Sequence, residues 1–235
     1  SAFLYRQRLY HFVSKAALNI DGVGPRIIDA LLDSGLMQTY EDLFTLKQGD
    51  VEELPGFKEK AAANVISAIE SAKKVPLHRL LVGLSIDHIG EETAYLIAEH
   101  FGSLDAIRKA SVEEVALIHG VGDIVARSLV SWMNNKHNRA TLEGILRHVT
   151  VVNPVKKSTG ALFDKTIVFT GTLPSLGRDE AKELARQAGA HTASSVSKAT
   201  DLVVLGENAG TNGKKAAALG IKVVSEEEFL GLLKA

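Results

Sequence analysis

Glycine is the residue type whose placement in this chain could do chemistry. IDGVG, Ile20 to Gly24, sets two glycines around one apolar residue directly before the helical pattern PRIIDALL. IHGVG, Ile118 to Gly122, does the same before DIVARSLV. The first turn of a helix leaves its N–H groups without intrahelical partners, and the helix dipole adds partial positive charge there. Glycine withholds the Cβ that would keep a phosphate at a distance, and it permits positive φ. An anion can then sit on bare backbone amides. Pro25 suits the position after Gly24, where its missing N–H matters least. The middle apolar residue, Val23 or Val121, is expected to turn inward and anchor the hairpin.

The same form recurs. Four pentads follow the pattern apolar, any, small, apolar, small: Ile20–Gly24, Leu54–Lys58, Ile86–Gly90 and Ile118–Gly122. Their starts at 20, 54, 86 and 118 are 34, 32 and 32 residues apart, which marks an internal repeat. Each precedes a helical stretch such as EKAAANVISAIESAK or EETAYLIAEHF, with short helices between, DLFTL and SVEEVALI among them. One unit is therefore a pair of helices joined by a glycine-bearing turn. A single such turn is explained well enough as a tight helix–helix connection. Four copies in register favour binding of a nucleic-acid backbone, because helix packing alone does not ask for small residues on both sides of an apolar one. The contacts are expected at Gly22, Gly24, Gly120 and Gly122, with Arg26 and Arg127 as charged support. The other two pentads contribute Gly56 and Lys58, and His88 and Gly90. Lys58 replaces the second glycine of its repeat and His88 the first, so both hairpins should approach a backbone less closely.

The elements that must position these turns divide the 235 residues in two. Up to about Val149 the pattern is helical almost throughout, with apolar residues at i, i+3 and i+4, as in Leu80, Leu81 and Leu84. Residues 150–160, containing VVNPVKKSTG, read as a linker. Beyond it TIVFT, RDEAKELARQA, DLVVL, GKKAAALG, IKVVS and EEEFLGLLK alternate β-branched runs with helices, the signature of βαβ units and a parallel sheet. The expected domains are therefore 1–149, all-α, and 161–235, α/β. Gly189 ends the first helix of that domain, a short strand follows near His191, and Lys214 to Leu219 make its second helix.

Composition excludes much. The hydrophobic share is 46% and the charged share 23%, normal for a globular chain. No apolar run of about 18 residues offers a membrane span, and arginines interrupt SAFLYRQRLY before a signal-peptide core can form. The absence of cysteine excludes disulfides, a thiolate nucleophile and cysteine-ligated zinc, and an intracellular compartment is the simplest expectation. A net charge of −1 supplies no global field for nucleic acid, so phosphate binding has to be local. No pair of the eight histidines has the spacing of a zinc site; His88 and His119 sit in hairpins, where they could reach phosphate. TGTLPSLG lacks the Lys and Ser or Thr of a P-loop. Asp179, Glu180 and Glu226 to Glu228 read as solvated acids at helix starts, and Trp132 as a core residue. No catalytic or metal site is expected in this chain.

The pentads resemble helix-hairpin-helix motifs, which bind the sugar-phosphate backbone without reading sequence. With HFVSKAALNIDGVGP and LLVGLSIDHIGEETAYLIAEHFGS, the array from about Tyr10 to Arg147 is similar to the helix-hairpin-helix domain of bacterial NAD-dependent DNA ligases. The segment from Phe163 to Leu233 resembles a BRCT domain, a four-stranded parallel sheet with helices on both faces. FTG, the Gly-Ala after its first helix, TDLVVLGENAG and AAALGIKVVSEEEFL carry that likeness, and Phe229 stands where many BRCT domains have Trp. The family's phosphate pocket implies Thr170 and Gly171 after the first strand, with Arg178 as the basic residue used for a DNA 5′-phosphate. In the family's G-S-K-x-x-K pattern Asn212 occupies the first Lys position, leaving Lys215, with Lys214 as a neighbouring substitute. Thr170-Gly171 is equally readable as a turn and nothing more.

The ligase resemblance implies that this chain clamps nicked double-stranded DNA while N-terminal ligase domains perform the chemistry. The family's adenylated-lysine motif K-x-D-G does not occur here, so the chain alone is expected to be inactive. NAD, Mg2+ and a structural Zn2+ would belong to those other domains, with no cofactor held here and no membrane partner. The implied setting is the bacterial cytoplasm, in association with the nucleoid. A non-enzymatic adaptor, whose BRCT domain recruits a repair protein or binds a DNA 5′-phosphate, is the competing expectation.

Overall fold

The computed structural model describes residues 1–155 and 159–235. Two compact units divide the chain, Ser1–Pro154 and Val155–Ala235. The first contains helices α1 (Ala2–Val13), α2 (Pro25–Asp33), α3 (Asp42–Thr45), α4 (Gln48–Glu52) and α5 (Glu59–Ser71). After a short strand β1 (Lys74–Pro76) come α6 (Leu77–Gly83), α7 (Glu91–Phe101), α8 (Leu104–Lys109), α9 (Val112–Ala116), α10 (Asp123–Asn134) and α11 (Lys136–Leu146). A strand β2 (Thr150–Val152) closes the unit by pairing in parallel with β1, Lys74 opposite Thr150. Val151 and Val152, which composition assigns to the linker, are thus β-branched residues used as a strand. Lys156, Lys157 and Ser158 of that linker lie outside the described residues.

One continuous core runs through this unit. Phe12, Ile28, Leu31, Leu43, Leu80, Leu81, Ile97 and Ile107 are fully buried in it, drawn from helices on both sides of β1. Trp132 packs partly buried against that core. Amphipathic spacing explains the helices: α2 buries Ile27, Ile28 and Leu31, and α10 buries Ala126, Leu129 and Met133, each set recurring at intervals of three or four. Side chains tie the beginning of the unit to its middle and end. Arg6 pairs with Asp29 and Asp33 at 2.8 and 2.6 Å, and Arg79 donates to the carbonyls of Lys15 and Ala17. Glu41 accepts from Arg147 and His148 beyond the end of α11.

The second unit is a four-stranded, all-parallel sheet in the order β4 (His191–Ala193), β3 (Thr166–Thr170), β5 (Leu202–Leu205), β6 (Lys222–Val224). Both faces are covered, as parallel sheets require. Ile167, Phe169, Leu202 and Val204 point to one face with Ala181 and Ala185 of α12 (Arg178–Gln187) and Phe229 of α14 (Glu226–Leu233). Val168 and Val203, one residue out of step, point to the other with Ala216 of α13 (Thr211–Ala218). Phe169 and Phe229 meet edge to face at 5.1 Å. The helix expected over Lys214 to Leu219 starts three residues earlier, because Gly210 rather than Gly213 lies outside it.

One sequence expectation is corrected here. Glu226 is not a solvated helix-start acid: it is buried, 7% exposed. Its carboxylate accepts from the Ser175 hydroxyl and from the amides of Ser175 and Leu176. Those hydrogen bonds hold its pKa below the usual carboxylate range, and they fix the loop between β3 and α12. Glu228 closes a capping box with Ser225.

Candidate nucleic-acid interface

All four pentads fold the same way. The amide of the fourth residue donates to the carbonyl of the first: Val23 to Ile20, Phe57 to Leu54, Ile89 to Ile86 and Val121 to Ile118, at 3.0–3.1 Å. The two apolar residues of each pentad are buried, which anchors the turn as expected. The third residue is left-handed in every case, with φ of +77° at Gly22, +82° at Gly56, +67° at His88 and +87° at Gly120. That is the requirement of a type II turn, and Pro55 occupies the second position where such turns favour proline.

The last residue of each pentad does something different. Gly24, Lys58, Gly90 and Gly122 are the N-caps of α2, α5, α7 and α10, and all four are extended with negative φ. Gly24 and Gly122 therefore do not use the positive φ that glycine permits. A Cβ placed on Gly24, Gly90 or Gly122 would meet nothing within 4 Å. Neither conformation nor interior packing asks for glycine at these three positions.

None of these four helix starts has a side-chain cap. Elsewhere the chain caps with Ser1, Ser103, Ser111, Asn135 and Ser225, whose side chains accept from the first turn, the usual preference. The four hairpin helices thus start on amides without a side-chain acceptor, as α3, α6, α12 and α13 also do, whereas those five are capped.

The turns are arranged in reciprocal pairs. Arg26, early in α2, lies over the ring of Phe57 in the second turn at 5.2 Å. Asp21 and Gly22 of the first turn line one cleft with Asn64, Ser67 and Ala68 of α5. In the second pair, Ser128 of α10 donates to the Asp87 carbonyl of the third turn at 2.6 Å. Leu96 of α7 lies beneath Gly120 of the fourth, 3.3 Å from where a Cβ would stand. Each turn rests on the second helix of its partner hairpin, so two amide sites sit on one tandem. Uniform spacing of about 33 residues hides this pairing. A subtler signal carries it: the residue before the pentad is left-handed in the first and third copies, Asn19 and Ser85 at +52°. In the second and fourth copies it is the right-handed C-cap of the preceding helix, Glu53 and Leu117.

Electrostatics rank the turns. α2 has no acid in its first turn and presents exposed Arg26. Glu59 follows Lys58, Glu91 and Glu92 follow Gly90, and Asp123 follows Gly122. Arg127 is not a free cation, since its Nε pairs with Asp123 at 2.7 Å. It offsets that acid rather than adding positive charge. Lys58 and His88 are both exposed at their turns.

In the second unit the candidate phosphate residues come to the carboxyl edge of the sheet, where ligands of parallel sheets gather. Thr170 ends β3 and is buried. Gly171 has φ +80°, and a Cβ there would stand 2.5 Å from the carbonyl oxygen of Glu207. Thr172 and Glu207 exchange backbone hydrogen bonds of 2.7 and 2.9 Å beside it. The turn itself therefore requires this glycine. Arg178 opens α12 and donates to the Gly171 carbonyl at 3.1 Å. Lys214 and Lys215 are exposed early in α13, which also lacks a side-chain cap.

Among the described residues no group of three or more His, Asp or Glu side chains could hold a metal ion. Among the described residues no helix is long and apolar enough to cross a membrane.

Residues 14–71 match the SAM-like helix-hairpin-helix tandem and residues 79–142 the helix-hairpin-helix motif. Each matched segment contains one of the two reciprocal pairs. Residues 159–233 match the BRCA1 C-terminus (BRCT) domain. The chain is a helix-hairpin-helix array followed by a BRCT domain, a combination that supports DNA binding and a role of the DNA-repair type.

Proposed function

We propose that this chain grips duplex DNA by its sugar-phosphate backbone, without reading sequence, as the C-terminal part of an NAD-dependent DNA ligase acting at nicks. One observation carries the binding mode. Gly24, Gly90 and Gly122 have ordinary φ and open space beyond them, so what excludes a side chain there is an external group that comes close to the amides. A phosphate oxygen at an uncapped helix N-terminus is that group. Paired turns in each tandem supply a site for each strand of a duplex. The ligase assignment rests on the long sequence resemblance from Tyr10 to Arg147. Adenylation, NAD, Mg2+ and the structural Zn2+ would lie in N-terminal domains, and their presence in the reading frame upstream of Ser1 separates this reading from a free-standing adaptor.

Backbone amides carry no base information, and a net charge of −1 gives little long-range attraction. Titration of unrelated duplexes should give affinities within about tenfold of one another, in the roughly 10⁻⁴–10⁻⁶ M range of nonspecific binding and falling as salt rises. Discrimination well beyond tenfold, or binding indifferent to salt, would contradict the proposal.

A further inference from the structure

The helical unit has a cleft of about 530 Å³ to which no pentad contributes a lining residue. Tyr5 and Arg8 reach it from α1, Tyr40 from the segment before α3, and Trp132 and Thr141 from α10 and α11, beside Leu84. A second, polar cleft of about 350 Å³ shares Arg8, Trp132 and Asn138 with the first and continues to Ser85, Asp87 and Ser131. Each has the size of a small-molecule site, roughly 300–1,000 Å³. Two polar groups there are uncommitted. Arg6 pairs with Asp29 and Asp33, whereas Arg8 is exposed and has no hydrogen-bond or ion-pair partner among the described residues. Tyr40 is the stronger sign. It is 8% exposed, and its ring packs edge to face on Phe12 and Tyr5 at 4.9 and 6.0 Å. Its hydroxyl nevertheless has no partner among the described residues, while that of Tyr5 donates to the Gln38 carbonyl at 2.7 Å. Buried polar groups are normally paired, and the open side of Tyr40 is the cleft it lines. Burial pushes this hydroxyl up to about 12, with Tyr5 adding and the nearby charge of Arg8 opposing. It therefore stays an O–H donor at every ordinary pH.

We propose that this double cleft binds a nucleoside phosphate, with its anionic head between Arg8 and the Tyr40 hydroxyl. A guanidinium fork beside a neutral O–H donor receives an anion. The acid that lines the same half, Glu41, is already engaged by Arg147 and His148. A bare anion would leave most of the volume unused. Trp132, partly buried, gives that half a flat apolar wall for a planar ring. In the polar half Asp87 disfavours a second phosphate, but with Ser85 and Ser131 it supplies donors and acceptors for the hydroxyls of a sugar. Head, sugar and ring are the three parts of a nucleotide, and a simple carboxylate would use the first alone. A free mononucleotide and an unpaired nucleotide at the end of a DNA strand share this chemistry. The site lies apart from the hairpin amides, so it stands whether or not they take DNA.

Trp132 is the chain's one tryptophan, so its emission reports on the cleft directly. Adenosine monophosphate added to the full chain should quench that emission saturably, and adenosine or inorganic phosphate alone should bind more weakly. Tyr40→Phe removes the hydroxyl and keeps the packed ring. It should weaken nucleotide binding about 10-fold, the scale of one hydrogen bond to a charged group, with no fall in melting temperature. Arg8→Gln should weaken it at least as much. Blunt-duplex affinity should be equal in the parent and both variants, which keeps this site separate from the hairpins. Two duplexes, one blunt and one ending in a single unpaired nucleotide, distinguish the sources. Displacement of the mononucleotide by the unpaired end but not by the blunt one assigns the cleft to a strand end, and displacement by neither assigns it to the free nucleotide. No saturable quenching at millimolar adenosine monophosphate in the folded parent would overturn the proposal. Quenching undiminished in both variants would overturn it equally, since the ring would then be quenched by collision alone.

Discussion

The two small positions of each hairpin obey different physics. The third residue of the pentad needs a left-handed backbone, and a side chain there is strained but not obstructed. The fifth residue is extended, and only an outside group limits its size. His88 shows the first rule, holding φ +67° where the other repeats use glycine, at a cost of roughly 1–2 kcal/mol. His88→Gly should therefore stabilise the chain by about 1 kcal/mol, a rise of about 3 °C in melting temperature, measurable by calorimetry. A fall in melting temperature would mean that the histidine ring contributes more contact than its backbone costs. Lys58 shows the second rule, since an extended N-cap accepts any residue. Sequence spacing located both positions but could not separate them, because glycine satisfies a left-handed φ and a close approach equally well. The i,i+4 spacing of Asp123 and Arg127 did mark them as helix neighbours, and weighing it would have shown that Arg127 offsets that acid.

Elements in the helical unit are tied by a few charged side chains as well as by the core. Glu41, just before α3, receives Arg147 at 2.8 Å and His148 at 3.1 Å from beyond the end of α11. Gly144 of α11 leaves room for it, since a Cβ there would lie 2.7 Å from the carboxylate. The Arg147 hydrogen bond, with His148 second, lowers the Glu41 pKa to about 2. A depressed carboxylate stabilises the fold above its unfolded value and loses that contribution as pH falls toward the folded one. The window for Glu41 runs from the ordinary value of 4.5 down to about 2. Glu41→Gln should lower the melting temperature at pH 7 and make stability fall less steeply than in the parent between those values. Parallel curves for parent and variant would show that the pair contributes nothing. The helices and the strands of the second unit were legible from period and β-branched runs. The strands β1 and β2 were not: three residues are too few for a period, and their partners lie 76 residues apart. Glu226 was misread for a related reason, because its receiving loop at Ser175 is fixed only by the tertiary fold.

At the scale of the whole molecule, the two units carry different kinds of candidate anion site. The hairpin array repeats one uncapped helix start four times, whereas the BRCT unit gathers Thr170, Arg178, Lys214 and Lys215 at one sheet edge where Gly171 is already required by the turn. Repetition made the first surface legible in the sequence, and its absence left the second dependent on resemblance. The central claim is that bare amides at the hairpin helix starts take the DNA backbone, and substitution at the N-cap tests it most directly. Gly24→Val and Gly122→Val add a branched side chain at negative φ with nothing within 4 Å, so the fold should survive. An N-cap of this type costs at most ~1–2 kcal/mol, which thermal melting will register. Duplex titration of the two variants, beside Lys58→Ala as a loss of one flexible charge, is the measurement. The account predicts stably folded valine variants whose binding falls well below that of Lys58→Ala. Stably folded valine variants that bind duplex as tightly as the parent would contradict it and reduce the glycines to turn formers.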